Sequence, residues 1–194
     1  MKPISYDNYF WQNELVRLRA CTPEDWEAGY PSMFDSPARF FLEETLELPP
    51  VIATMQEQFK TWANFSKETG MLMFTIETLK GKAVGGLNLY MINERHGTFC
   101  IGIQVFVGER GKGYGTAAMR ILLRYAFLER RLHKFNSGWI EGNVGSEKMH
   151  KKLGCIQEGQ LRQMTYHEGR YYDWIRVGLT KDEFIENERK FAKK

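Results

Sequence analysis

The sequence predicts an α+β fold in three layers, a mixed and mostly antiparallel central sheet of about seven strands flanked by helices. Three observations predict it. Three apolar-rich runs between residues 71 and 107 are separated only by short polar turns, the pattern of an antiparallel meander. Gly113 to Arg130 then carries Ala117, Ala118, Ile121, Leu122, Tyr125, Ala126 and Leu128, a helix apolar around more than half its circumference that has to bury itself on a sheet. Beyond it, strand, short-helix and hairpin patterns alternate to residue 180.

Taken in order, Leu15 to Ala20 alternates as a strand, and Thr22 caps a short helix through Trp26. Residues 31 to 50 contain four prolines and no clear period, so they read as loop and short helix. Pro49 and Pro50 open a helix whose apolar face is Val51, Met55, Phe59, Trp62 and Phe65. The meander strands are Met71 to Thr78, Ala83 to Ile92 and Thr98 to Val107. After the long helix come a strand from Lys134 to Glu141, a helix from Val144 to Leu153 capped by Asn143, and a closing hairpin of Gln157 to Tyr166 with Tyr171 to Thr180. Thr180 and Glu183 form a capping box that starts a polar helix. No repeat, low-complexity tract or linker interrupts this order, so residues 1–194 read as a single domain.

At 194 residues, 43% hydrophobic and 14% aromatic, the chain can bury a sizeable core. Its net charge of +3 lacks the strongly basic signature of a nucleic-acid binder or a membrane-surface protein. There is no apolar stretch of transmembrane length and no signal-peptide core, so a cytoplasmic location is the default expectation. Cys21, Cys100 and Cys155 are an odd, widely spaced set without metal-ligand pairing; they read as reduced and mostly buried, and no metal is expected.

The chemistry is carried by the junction from Val105 to Thr116. An apolar strand there runs into Gly111, Gly113 and Gly115 and then into the long helix. Such glycines leave backbone N–H groups open to an anion, and the first helical turn adds unpaired donors and the positive end of its dipole. Arg110 and Lys112 add charge at the same place. A dinucleotide fingerprint counted from Gly111 would need glycine where Thr116 stands, and a P-loop would need Gly-Lys-Ser/Thr at its close.

The spacing that is present, Arg110-x-x-Gly113-x-Gly115, resembles the acyl-coenzyme A loop of the GNAT superfamily of N-acetyltransferases, R/Q-x-x-G-x-G/A. Asn143 to Cys155, with Ser146, Met149, His150 and Gly154, is similar to the family's N-x-x-A/S-x-x-L-Y-x-x-x-G-F signature at most positions. Leu15 to Arg19 with Thr22 to Asp25 looks like the family's first strand and helix. His167 to Asp173, followed by Arg176 to Leu179, resembles the closing hairpin of bacterial ribosomal-protein N-terminal acetyltransferases and spermidine acetyltransferases. Together these matches touch most of residues 14 to 180.

The resemblance implies a sheet splayed between its fourth and fifth strands, with acetyl-CoA as cosubstrate and an amine as acceptor. It places the pyrophosphate on Arg110, Gly111, Lys112, Gly113, Tyr114, Gly115 and Thr116, and the pantetheine arm along the backbone of Val105, Phe106 and Val107. Asn143 and Ser146 fall where the family contacts the pantetheine or the adenosine-side phosphates, although Asn143 also reads as a simple helix cap. A homodimer is compatible, because the closing hairpin of that subgroup often meets a neighbour.

Amine attack on a thioester needs mainly positioning, which supplies on the order of 7–11 kcal/mol. It also needs a base for an alkylammonium of pKa about 10 and a proton for the departing sulfur. Here the chain departs from the family twice. His150 stands where a tyrosine usually serves as general acid, and Cys100, Ile101 and Gly102 stand where many relatives carry Glu-Ile-Gly. An imidazolium at His150 could take the tyrosine's role; the bland reading is a solvated histidine beside Lys151 and Lys152. Glu141, His96, Glu94 or a water chain are candidates for the base. Cys100 as a nucleophile is weighed against a small buried hydrophobe.

Glu43, Glu44, Glu47 and Glu57 make an acidic segment that would suit a polyamine, an aminoglycoside or a protein N-terminus, or else form a solvated face. Phe34, Phe40, Phe41, Trp62, Tyr90 and Trp139 could line an acceptor cleft or simply pack. Two functions therefore follow from the sequence: an N-acetyltransferase acting on a small-molecule amine or protein N-terminus, or a catalytically silent acyl-CoA-binding sensor.

Overall fold

The computed structural model describes residues 4–43, 48–64 and 72–191; Glu44, Glu47, Phe65 and Met71 lie outside them, as does the side chain of Glu43. A sheet of seven strands organises these residues. In chain order they are β1 (Val16–Ala20), β2 (Leu72–Thr78), β3 (Ala83–Asn93), β4 (Thr98–Val105), β5 (Lys134–Ile140), β6 (Ile156–His167) and β7 (Arg170–Thr180). Their spatial order is β1-β2-β3-β4-β5-β7-β6, antiparallel throughout except for β4 against β5. The parallel step is where the chain crosses over through a helix, the connection that parallel strands require.

The helices are α1 (Trp26–Gly29), α2 (Ser36–Glu43), α3 (Ile52–Ala63), α4 (Tyr114–Arg124), α5 (Val144–Leu153) and α6 (Lys181–Phe191). On one sheet face, Ala118, Met119, Leu122 and Leu123 of α4 join Val16, Leu18, Ile76, Leu89, Phe99 and Phe135 in the main core, which Leu153 and Phe184 close. On the other face, Met55 and Phe59 of α3 pack with Cys21, Trp26 and Met73. Alternation along β4 divides the two: Phe99, Ile101 and Ile103 pack into the α4-side core, while Gly102 and Gln104 line the space beside α1 and α3.

Several boundaries differ from the sequence reading for visible reasons. β4 ends at Val105 because the N–H of Val107 leaves the sheet and donates to the buried Ser32 hydroxyl at 2.9 Å. The proline-rich segment forms a 3-10 turn, Tyr30–Phe34, followed by α2. Val51 precedes the first turn of α3 and is exposed, so it is not part of that helix's buried face. The long helix is α-helical only to Arg124; Tyr125–Glu129 is a π turn, closed by Arg130 N–H on the Tyr125 carbonyl at 3.0 Å. The β6–β7 turn places Glu168 and Gly169 at φ +44° and +84°, the paired left-handed geometry of a two-residue hairpin. The predicted capping box is present, with Thr180 N–H on Glu183 at 2.7 Å and Glu183 N–H on the Thr180 hydroxyl at 3.4 Å.

A charged network fastens the first strand to this frame. Arg19 holds Asp25 through both terminal nitrogens, at 2.8 and 2.6 Å, and Glu77 through Nε at 2.9 Å. Asp25 also accepts from Thr22 N–H and the Thr75 hydroxyl, each at 2.8 Å. Burial alone would raise the Asp25 carboxyl, but Arg19, Thr22 and Thr75 outweigh it and hold the group below the usual carboxylate range.

Candidate functional site

β4 and β5 pair only through Thr98 with Lys134 and Phe99 with Phe135. Beyond those residues the strands separate, and a cleft of about 960 Å³ occupies the gap. Ile101 to Val105 form one wall, Asn136, Ser137 and Gly138 the other, and α5 contributes Ser146, Met149 and His150.

The glycine loop stands at the mouth of this cleft. Gly111 and Gly113 adopt φ +78° and +87°, left-handed values that other L-residues reach only with strain. Gly113 immediately precedes α4, whose first internal bond runs from Ala117 N–H to the Gly113 carbonyl at 3.1 Å. The N–H groups of Tyr114, Gly115 and Thr116 therefore have no helical carbonyl to serve them, and all three residues line the cleft. A Cβ on Gly115 would stand 3.3 Å from Val105 Cγ2, so glycine lets the helix approach the strand closely. This is the donor set an anion needs.

The cations of the loop already hold carboxylates. Arg110 Nη1 is 2.5 Å from Asp35, and its Nε donates to the Val105 carbonyl at 3.1 Å. Glu109 takes both Lys82 at 2.5 Å and Lys112 at 2.9 Å. Of the sequence-predicted residues, Val105, Arg110, Gly111, Gly113, Tyr114, Gly115, Thr116, Asn143 and Ser146 line the cleft. Lys112 points to Glu109, Val107 is tied to Ser32, and Phe106 is buried against a second pocket. Asn143 caps α5, its Oδ1 accepting Ser146 N–H at 3.1 Å.

His150 is not the solvated surface residue of the alternative reading. It is 3% exposed, lying between the rings of Trp139 and Phe135 with centroid separations of 5.4 and 6.1 Å. Its Nδ1 lies 2.9 Å from the Ser146 carbonyl and its Nε2 2.8 Å from Ser137 Oγ. Burial pushes the imidazole pKa down, and the Ser146 carbonyl only partly offsets this, so the neutral ring is favoured.

The other proton-transfer candidates stand apart. Glu141 is exposed, with Oε2 3.4 Å from the Asp173 N–H, and does not line the cleft. Glu94 pairs with Arg130 at the far turn, and His96 is exposed there. Cys100 does line the cleft, but burial raises its thiol pKa; burial likewise pushes Cys155 up to about 12 and Cys21 to about 11. Glu57 is solvated beside Lys60. Among the aromatics, Phe41 and Tyr90 line the cleft and Trp62 the second pocket, whereas Phe40 stacks on His167 and Phe34 is exposed.

The second pocket, about 230 Å³, lies on the α1 and α3 side of the sheet and shares Leu42, Gly102, Ile103 and Gln104 with the cleft. Gln58, Thr75 and Asn88 give it uncharged polar lining and Asp25 and Arg39 charged lining, while Met33, Met55 and Trp62 give it apolar walls. Gly102 has no side chain, which lets Asn88 Oδ1 reach its N–H at 2.9 Å. Gln104 Nε2 and Trp174 Nε1 are buried donors with no hydrogen-bond partner among the described residues. Sequence reasoning missed Ser137, Asp35, Asn88 and Gln104. Of these only Ser137 left a signal, a small hydroxyl on the strand face that also presents Phe135 and Trp139.

Comparison with known proteins gives a consistent picture. Residues 16–156 match the family model described as an acetyltransferase (GNAT) domain. YokL of Bacillus subtilis, a prophage-derived uncharacterized N-acetyltransferase, is 32% identical over 175 residues, covering 90% of this chain and 95% of YokL. YdaF of the same organism, a provisionally named ribosomal N-acetyltransferase, is 30% identical over 179 residues, covering 89% and 94%. A spermidine N-acetyltransferase from Vibrio cholerae, crystallised with CoA and spermine, shares the fold with a TM-score of 0.76 at 20% identity, covering 89% of this chain and 99% of that one.

Proposed function

The chain belongs to the acetyltransferase (GNAT) family, and from that premise we propose that it acetylates a primary amine that reaches β4 through the second pocket. The observation that carries this reading is the meeting of the two pockets at Gly102, Ile103 and Gln104. An amine entering from the pocket would meet a thioester in the cleft at this shared stretch of β4, where the two spaces adjoin.

The residues present fit acetyl-CoA. An added Cβ on Gly111 would meet nothing within 4 Å, and the first-turn N–H groups of α4 are turned to the same space, as a pyrophosphate requires. Arg110 would add charge once it leaves Asp35. The cosubstrate supplies the activated acetyl group; the chain holds it, excludes water and positions the amine, an effect on the order of 7–11 kcal/mol. The acceptor pocket has polar lining without an unpaired carboxylate that the structure describes, since Asp25 is taken by Arg19. That lining supports an uncharged amine nitrogen being delivered to the reacting carbon. A homodimer through β6 belongs to the same reading, supported by exposed Leu161, Met164 and Tyr166 on that outer strand.

The test is thiol release from acetyl-CoA against polyamines, aminoglycosides, amino acids and N-terminal peptides, beside calorimetric titration of acetyl-CoA alone. Turnover with one class of amine, lost when Gln104 is replaced by leucine, is expected. Tight binding with no turnover on any acceptor would overturn the proposal in favour of an acyl-CoA sensor.

A further inference from the structure

We propose that Ser137, with His150 behind it, is the proton relay of the reaction, passing the amine's proton to the departing sulfur. The proposal rests on the acetyl-transfer reading above. Three observations point to it. Ser137 is the first residue on its face of β5 beyond Phe135, the last residue paired with β4, so it stands where the gap begins. Its Oγ is 2.8 Å from His150 Nε2. And His150 Nδ1 is 2.9 Å from the Ser146 carbonyl, an acceptor only, so Nδ1 carries the hydrogen and the neutral ring turns its Nε2 lone pair to the Ser137 hydroxyl. The two flanking rings and the carbonyl hold the imidazole in that pose.

The step balances. The amine nitrogen bonds to the acyl carbon, and the carbon–sulfur bond breaks with its electron pair leaving on sulfur. The proton on the now cationic nitrogen moves to Ser137 Oγ as the serine's own proton moves to His150 Nε2. The reverse shift then delivers a proton to the thiolate, and Ser137 and His150 return to their starting forms. Neutral His150 is the form that starts this cycle, and burial favours it. The groups facing the ring are Ser137, Phe135 and Trp139 from β5 and Ser146 from α5; Lys148 and Lys152 of α5 and Arg176 of β7 line the same cleft.

Nitrogen-15 NMR of the histidine rings, titrated with CoA and separately with desulfo-CoA, tests the placement without needing the acceptor. His150 should appear as the neutral Nδ1–H form, and CoA above the pKa of its thiol should shift Nε2 whereas desulfo-CoA should not. Equal responses to both ligands, or no response while calorimetry shows CoA bound, would overturn the relay alone; failure of CoA to bind would remove the acetyl-transfer reading as well. With an acceptor found in the amine panel, Ser137→Ala should lower kcat about 100-fold with KM for acetyl-CoA unchanged, and should flatten the acidic limb of the pH profile. Ser137→Thr should restore much of both. Full turnover in Ser137→Ala, with the acidic limb intact, would refute the proposal.

Discussion

The Arg110 guanidinium lies 2.5 Å from the Asp35 carboxylate, so the arginine of the glycine loop is held by the segment leading into α2. That pairing holds the Asp35 carboxyl below the usual carboxylate range, with the Ala38 N–H adding to the effect. An anion arriving at the loop has to compete with Asp35 for Arg110. A half-exposed pair of this kind is worth about 0.2–1 kcal/mol. Asp35→Asn keeps an acceptor for Ala38 and should tighten acetyl-CoA binding up to about fivefold, measured by calorimetry. Weaker binding in this variant would contradict the competition.

Gly113→Ala should damage the loop directly. At φ +87° an alanine is strained by about 1–3 kcal/mol, and relief of that strain would turn the first N–H groups of α4 away from the cleft. The expected result is a melting temperature lower by several degrees and acetyl-CoA affinity at least tenfold weaker. An unchanged dissociation constant would show that the loop does not hold the phosphates.

The Arg19 network predicts acid sensitivity. Asp25 and Glu77 both have folded-state pKa values below their unfolded ones, so their contribution to stability is present above about pH 4 and is lost as the pH falls through the folded values. Asp25→Asn leaves Arg19 without its bidentate partner and should cost about 2–4 kcal/mol, less than breaking a fully buried pair, because Arg19 is 27% exposed. Urea titrations between pH 3 and 7 should show a shallower pH slope in the variant than in the parent protein. Parallel slopes would place the acid sensitivity elsewhere.

The thiols should be inert in the native state. Burial raises all three, Cys155 to about 12, so thiolate is scarce at neutral pH. An aromatic disulfide reagent at pH 7.5 should label them only at the rate of unfolding. Rapid labelling of Cys100 would reopen the nucleophile reading.

Much of the fold was legible because it is local. The apolar stripe of α4, the short polar turns and the capping box at Thr180 each specify their element without long-range help. The loop was legible for the same reason, since Gly111, Gly113 and Gly115 are neighbours in sequence. What escaped depends on pairing between distant residues. Ser32 ends β4 by accepting the Val107 N–H, Asp35 meets Arg110 across 75 positions, and Ser137 matters only because α5 sets His150 over it. His150 itself was visible as a departure from a tyrosine, but its burial was not, because Phe135 and Trp139 come from another strand.

The two-pair ladder between β4 and β5 also decides how the cleft keeps its width. With so few backbone bonds across the seam, the spacing of its walls depends on side-chain thickness behind it: Phe99 rests on Phe135 at 5.7 Å and on Phe127 at 5.2 Å between ring centroids. That stack works as a shim. Trimming or thickening it by a methylene shifts one half of the sheet against the other, so the reach between thioester and amine can be adjusted from positions that touch neither.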